Sequence, residues 1–243
     1  MLLNCDMGES YGRLTVGDDA KIMPYIDQAN IACGFHAGDP LTIQRTLELA
    51  ALHGVQVGAH PAYPDLEEFG RRSMTLSPEE LIAGMHYQIA ALEGMAAICG
   101  TKIAHVKPHG ALYNDAMRDA KIRNTVMAAL ASYHRPLPLV LQATPNAAKL
   151  QEEAKAHGIT LSLEAFADRA YTANGLLQPR SEKNAVHDAK AMLAQVEQLV
   201  TQGSVNSVEG KEVSLQADTL CVHGDNSESI AAIAAIRTLL DRR

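Results

Sequence analysis

The sequence predicts an α/β fold, a single (β/α) barrel of seven parallel strands, and three observations carry that reading. A unit of apolar strand, polar turn, capped helix and closing glycine recurs along the chain. Such alternation builds a parallel sheet with helical cover. Polar side chains follow nearly every strand instead of gathering at one switch point. The first turn, Asp6-Met7-Gly8-Glu9, is acidic where a doubly wound nucleotide-binding sheet carries a glycine-rich phosphate turn. A barrel is therefore preferred to an open sheet.

The elements follow in order. Strands are expected near Leu2–Cys5, Ala29–Cys33, Val55–Ala59, Ile103–Lys107, Leu137–Gln142, Ile159–Leu163 and Thr219–His223, as short apolar runs buried on both faces. Asp39-Pro40, Ser77-Pro78 and Thr144-Pro145 mark helix starts: the side-chain oxygen accepts from first-turn amides, and proline has no amide to orphan. Ser77 and Glu80 have capping-box spacing. Gly54, Gly100 and Gly158 mark helix ends, where a left-handed residue is needed. Leu81, Met85, Ile89, Leu92, Ala96 and Cys99 form one helical stripe, and Ile43, Leu47, Ala50 and Ala51 a shorter one. Further helices are expected around 116–133, 184–202 and 226–241. Residues 10–28 make a long first connection with a short helix near Ala20–Tyr25. Residues 61–76 form a charged loop, and 203–217 alternate like a hairpin. No linker or repeat in side-chain identity divides residues 1–243 into separate domains.

Composition narrows the function. Apolar residues are 47% and charged residues 20% of the 243, with no Trp and 4% aromatics, so aliphatic packing carries the core. A net charge of -7 argues against nucleic acid and against an anionic membrane surface. Cys5, Cys33, Cys99 and Cys221 lack CxxC spacing, and three lie in apolar runs as small buried hydrophobes. The first residues lack a basic and an apolar signal region, and no apolar run approaches the ~20 residues of a membrane span. A cytoplasmic location is expected by default.

In a parallel barrel, residues just past each strand converge on one rim. Here that rim collects Asn4, Asp6 and Glu9, then His36 and Asp39, then His60. Lys107 and His109 follow, with Glu164, Asp168 and Arg169, and finally His223 and Asp225. One histidine at a strand end is usually a packing residue; His36, His60, His109 and His223 together, among carboxylates and a lysine, define a site. They are suited to holding a divalent metal or to acid–base work, and no HExxH or other local spacing chooses between these. Lys107 either neutralises an anionic substrate or oxyanion, or forms a salt bridge to Glu164 or Asp6. Asp39 is explained as a helix cap. The loop Tyr63 to Arg72 is long enough for a lid. Its Arg71-Arg72 pair either binds a carboxylate or phosphate or balances Asp65, Glu67 and Glu68. Gly210-Lys211 is no P-loop, because the spacing is too long and Glu212 stands where a hydroxyl is required.

Seven blocks, in order along the chain, resemble the LamB/YcsF family. They are Asn4-Cys5-Asp6-Met7-Gly8-Glu9, Ala29 to Asp39, Gly58-Ala59-His60-Pro61 and Phe69-Gly70-Arg71-Arg72. His105 to Asn114, Phe166 to Tyr171 and Val222-His223-Gly224-Asp225 complete them. Leu2, Cys5 and Glu68 depart from the pattern. That family includes the A subunit of bacterial 5-oxoprolinase, so the resemblance implies ATP-dependent opening of the 5-oxo-L-proline lactam to L-glutamate with B and C subunits. It also implies a seven-stranded barrel related to the glycoside hydrolase and deacetylase folds. ATP would bind on this chain or on a partner.

On this reading the catalytic candidates are Asp6, Glu9, His36, His60, Lys107, His109, Glu164 and His223. Asp6 or Glu9, His109 and His223 would move protons, and Lys107 or Arg71 would hold the substrate carboxylate. Asn4, Arg71, Asp168, Arg169 and Asp225 complete the substrate contacts. Two other functions compete: a stand-alone metal-dependent deacetylase or amidohydrolase, and a non-catalytic subunit that delivers lactam to partners.

Overall fold

Seven parallel strands close on themselves in the computed structural model, which describes residues 1–224 and 227–241. They are β1 (Leu2–Met7), β2 (Gln28–Ala32), β3 (Gln56–His60), β4 (Ile103–Val106), β5 (Leu139–Gln142), β6 (Leu161–Phe166) and β9 (Thr219–Val222). Each pairs with its sequence neighbour, and β9 lies between β6 and β1 to complete the barrel. The remaining strands, β7 (Ser204–Asn206) and β8 (Glu212–Ser214), form the expected antiparallel hairpin outside it.

The helices are α1 (Asp19–Ile22), α2 (Pro40–His53), α3 (Pro78–Ile98), α4 (Gly110–Arg118), α5 (Ala120–Ala131), α6 (Ala147–Ala156), α7 (Ala189–Gln202) and α8 (Ser227–Asp241). Asp39 caps α2 by accepting from the amides of Leu41 and Thr42. Ser77 and Glu80 close both halves of the capping box on α3. That helix has the length and mean hydropathy of a membrane span, yet its Leu81, Met85, Ile89, Leu92 and Ala96 face is buried. Thr46 replaces the exposed Ala51 on the buried face of α2.

Strand β6 runs later than the expected Ile159–Leu163, which places Glu164 inside the strand and not past its end, and three helices differ from expectation. The helix predicted over 116–133 is two helices, because Asp119 turns extended (φ -115°) and caps α5 through the Lys121 amide. Thr144-Pro145 does not cap α6: the chain makes one more turn, the Ala147 amide donating to the Thr144 carbonyl, and the helix begins after Asn146. Helix α7 begins at Ala189, capped by Asp188, five residues later than predicted.

The larger surprise is the barrel interior. Outward strand residues such as Leu3, Ile31, Val57 and Val106 are buried and apolar, as expected. Many of the inward ones are polar and bonded across the lumen. Asn4 donates to Thr219 (2.9 Å) and to Glu164 (3.3 Å), and Asn30 donates to Asn4 (2.8 Å) and Asp6 (2.9 Å). Lys107 Nζ meets Asp6 and Glu164, each at 3.0 Å, and also Asn4 and Cys221. His105 crosses from β4 to Asn30 at 2.8 Å. It can do so only because residue 58 is glycine: a Cβ there would stand 2.1 Å from the His105 ring.

Candidate functional site

The site grows from this column toward the carboxyl ends of the strands. Asp6 is the last inward residue of β1, and both its oxygens are engaged. Oδ1 accepts from Asn30 and Lys107, while Oδ2 lies 3.2 Å from His60 Nε2 and 3.5 Å from His223 Nε2. Burial works against its charge, but the positive neighbours outweigh it and hold the carboxyl well below its usual range. Glu9 enters after a turn at Gly8, whose amide is fixed by Asp19 (3.0 Å). Burial raises the Glu9 pKa.

His36, His60 and His109 crowd against Glu9. His36 Nε2 is 3.3 Å and His109 Nδ1 3.5 Å from Glu9 Oε1. His60 Nδ1 sits 2.7 Å from the Lys107 carbonyl and His109 Nε2 2.9 Å from the Phe69 carbonyl. A carbonyl only accepts, so each of those nitrogens is the donor, and the opposite nitrogens face each other at 2.9 Å. His36 stacks on His109 with ring centroids 3.7 Å apart. Burial and neighbouring imidazoles push the His36 and His109 pKa values well down. Ligand atoms of Glu9, His36, His60 and His109 all lie within 4.8 Å of one another, so this cluster can bind a metal.

The charged loop covers the cluster. Phe69 adopts a left-handed conformation (φ 56°) and packs edge-on to His36 and His109. A Cβ on Gly70 would press within 2.8 Å of both histidines. The loop is pinned, since the Gly70 carbonyl accepts from the Ala111 amide. Its arginines divide the two roles open to them: Arg72 pairs with Asp65 and Glu67, whereas Arg71 lies over the Phe69 ring and lines the pocket.

His223 occupies the opposite wall. Its Nδ1 is 2.8 Å from Asp168 Oδ2. Burial disfavours the charged ring, but Asp168 and then Asp6 outweigh it and push its pKa up to about 10. Gln195 of α7 holds the loop behind Asp168 by donating to the carbonyls of Phe166, Ala167 and Arg169. Arg169 in turn donates to the carbonyls of Ala185 and Gln178, fixing the segment that overhangs the site.

Between these walls is a cavity of about 310 Å³. Asp6, Glu9, His60, Lys107, His109 and His223 line its floor, with Arg71, Arg118, Arg169 and Arg180 around it. His36 and Asp168 stand behind pocket residues, and Asn4 and Glu164 lie deeper in the lumen. Asp225 falls outside the described residues. Arg118, Arg180, Tyr113 and Phe166 line the cavity and were not anticipated from the sequence. The usable signal for Arg180 was the long connection from Ala167 to Asp188, an excursion following directly on a strand end.

A closed seven-stranded parallel βα barrel with a histidine–carboxylate pocket at its strand ends is the class these observations define. The LamB/YcsF family model matches residues 1–243, and the chain belongs to that family. It is 53% identical over 241 residues to the 5-oxoprolinase A subunit of Chromohalobacter salexigens, covering 99% of this chain and 96% of that protein. It is 52% identical over 242 residues to the second 5-oxoprolinase A subunit of Pseudomonas putida, covering 99% and 94%. Among solved structures, the lactam utilization protein from Thermus thermophilus superposes with a TM-score of 0.90 at 42% identity, covering 100% of this chain and 96% of that one.

Proposed function

We propose that this chain is the A subunit of an ATP-dependent 5-oxoprolinase, a single-domain component that opens the 5-oxo-L-proline lactam together with B and C subunits. The observation that carries the reading is the pocket: a small cavity with acid–base groups on its floor and arginines around it. The names of the relatives, 5-oxoprolinase A subunit and lactam utilization protein, supply the substrate class. At about 310 Å³ the cavity is at the small end for ligand sites, which suits a compact ring acid.

A five-membered lactam is a poor electrophile, so its oxygen is activated by taking the terminal phosphoryl group of ATP. Water then adds to the same carbon, and a carboxylate, Asp6 or Glu9, receives the water's proton. His223, held as an imidazolium by Asp168 and Asp6, donates to the ring nitrogen as the C–N bond breaks. Hydrolysis of the resulting acyl phosphate releases glutamate and phosphate. Arg71, Arg118 and Arg180 receive the substrate carboxylate, and ATP sits on this chain or a partner. Lys107, paired with Asp6 at 3.0 Å, holds that carboxylate in place. Four free cysteines suit a reducing, cytoplasmic setting.

The test mixes the chain with B and C subunits and follows glutamate from 5-oxoproline. The expected result is ATP-dependent release, abolished by His223→Gln. Undiminished release in that variant would remove His223 from the reaction. Release by this chain alone, without ATP and lost to chelators, would instead favour a metal-dependent amidohydrolase, a reading supported by the histidine cluster. Lactam binding with no loss of complex activity in pocket variants would mean that the chain delivers lactam to its partners.

A further inference from the structure

We infer that Glu9, His60 and His109 form a divalent transition-metal site, a two-histidine, one-carboxylate set open toward the cavity. The argument is one of hydrogens. His60 commits its Nδ1 proton to the Lys107 carbonyl, and His109 its Nε2 proton to the Phe69 carbonyl. What remains at the centre is His60 Nε2 against His109 Nδ1 at 2.9 Å, with Glu9 Oε1 3.5 Å from the latter and Asp6 Oδ2 3.2 Å from the former. The two ring nitrogens thus face each other with no hydrogen between them unless one ring becomes an imidazolium. A cation among His60, His109 and Glu9, whose ligand atoms lie within 4.8 Å of one another, satisfies both rings and the carboxylate at once. Bonds of about 2.0–2.1 Å in a tetrahedral site place ligand atoms roughly 3.3 Å apart, close to the separations here.

The surroundings fit that role. Each imidazole is oriented from its far side by a backbone carbonyl, and His36 Nε2 lies against Glu9 Oε1, the outer-shell support that metal ligands need. His36 itself is excluded from the set. Its ring is parallel to that of His109 within 5° and stacked at 3.7 Å, so the in-plane electron pairs of the two rings cannot aim at one ion. The rings of His60 and His109 are instead at 86° to each other, which allows a shared ion. Glu9, His60 and His109 all line the cavity, leaving coordination positions open on that side. Imidazole and carboxylate donors of this kind suit zinc, manganese, iron, cobalt or nickel better than magnesium or calcium.

The inference concerns the same pocket as the lactam reading but does not depend on it, and its test uses neither lactam, ATP nor partners. The full chain is stripped with a chelator, offered Zn²⁺, Mn²⁺, Co²⁺ or Ni²⁺ singly, and analysed for retained metal after gel filtration. About one ion per chain is expected for at least one metal, with a visible absorption band for Co²⁺ and a rise in Tm on binding. His60→Gln, His109→Gln and Glu9→Gln should each weaken retention by about tenfold or more, while His86→Gln, on α3, should not. Circular dichroism identifies any variant that fails to fold, and the remaining variants then decide. Failure of the folded wild-type chain to retain any of these ions, or equal retention by the folded Gln variants, would overturn the site.

Discussion

A half-buried imidazole pressed between two carboxylates keeps its proton into alkaline solution. For His223 the carboxylates are Asp168 and Asp6, and they hold its pKa near 10. If the protonated ring is the donor to the lactam nitrogen, activity is retained below that pH and falls as pH rises through it. Asp168→Asn removes the closer carboxylate and leaves burial less opposed. The alkaline limb of kcat/KM in the assembled enzyme should then move down toward the ordinary ~6.5 of an imidazole. A lower rate with an unmoved limb would mean that Asp168 only shapes its loop. Lys107 offers a second test at this scale. It is buried between Asp6 and Glu164, so Lys107→Met strands both carboxylates and should cost about 3–5 kcal/mol in denaturant unfolding.

At the scale of elements, punctuation was the readable part. All seven barrel strands were legible because each is a short apolar run between a polar turn and a helix, and the caps at Asp39 and Ser77 stand where expected. Ser77→Ala should cost about 1 kcal/mol, read from the unfolding midpoint. The break at Asp119 was hidden because both flanking segments are good helix formers and a single extended residue separates them. The rim histidines were legible from position alone; the overhang bearing Arg180 was not, since its placement depends on Arg169 reaching distant carbonyls. The Phe69–Gly70 cover tests whether loop position matters. Gly70→Ala puts a methyl group against His36 and His109 at a left-handed backbone position. Displacement of about 1 Å there should lower kcat about a hundredfold, with a smaller change in Tm.

For the whole molecule, the polar lumen was the least legible feature. The sequence shows Asn4, Asn30, His105, Lys107 and Glu164 one strand at a time, and only barrel closure makes them neighbours. Distant segments are also joined by charge on the outside. Glu93 of α3 accepts from Tyr133, His134 and Arg135, and although burial opposes its ionisation, these bonds hold its pKa near 2. A depressed carboxylate contributes stability above its unfolded pKa and loses it as pH falls through the folded one. Urea midpoints of the wild type should therefore drop between about pH 4.5 and 2. Glu93→Gln should flatten that part of the curve.

The lumen column also acts as a compass for whatever enters the cavity. Asp6 and Glu164 share one lysine, leaving surplus negative charge beneath the floor while Arg71, Arg118 and Arg180 stand around the opening. A molecule with a carboxylate at one end and an uncharged amide at the other is drawn in one way round, acid group outward and amide inward. The barrel's interior thus sorts ligands by the distribution of their charge before any reacting group touches them.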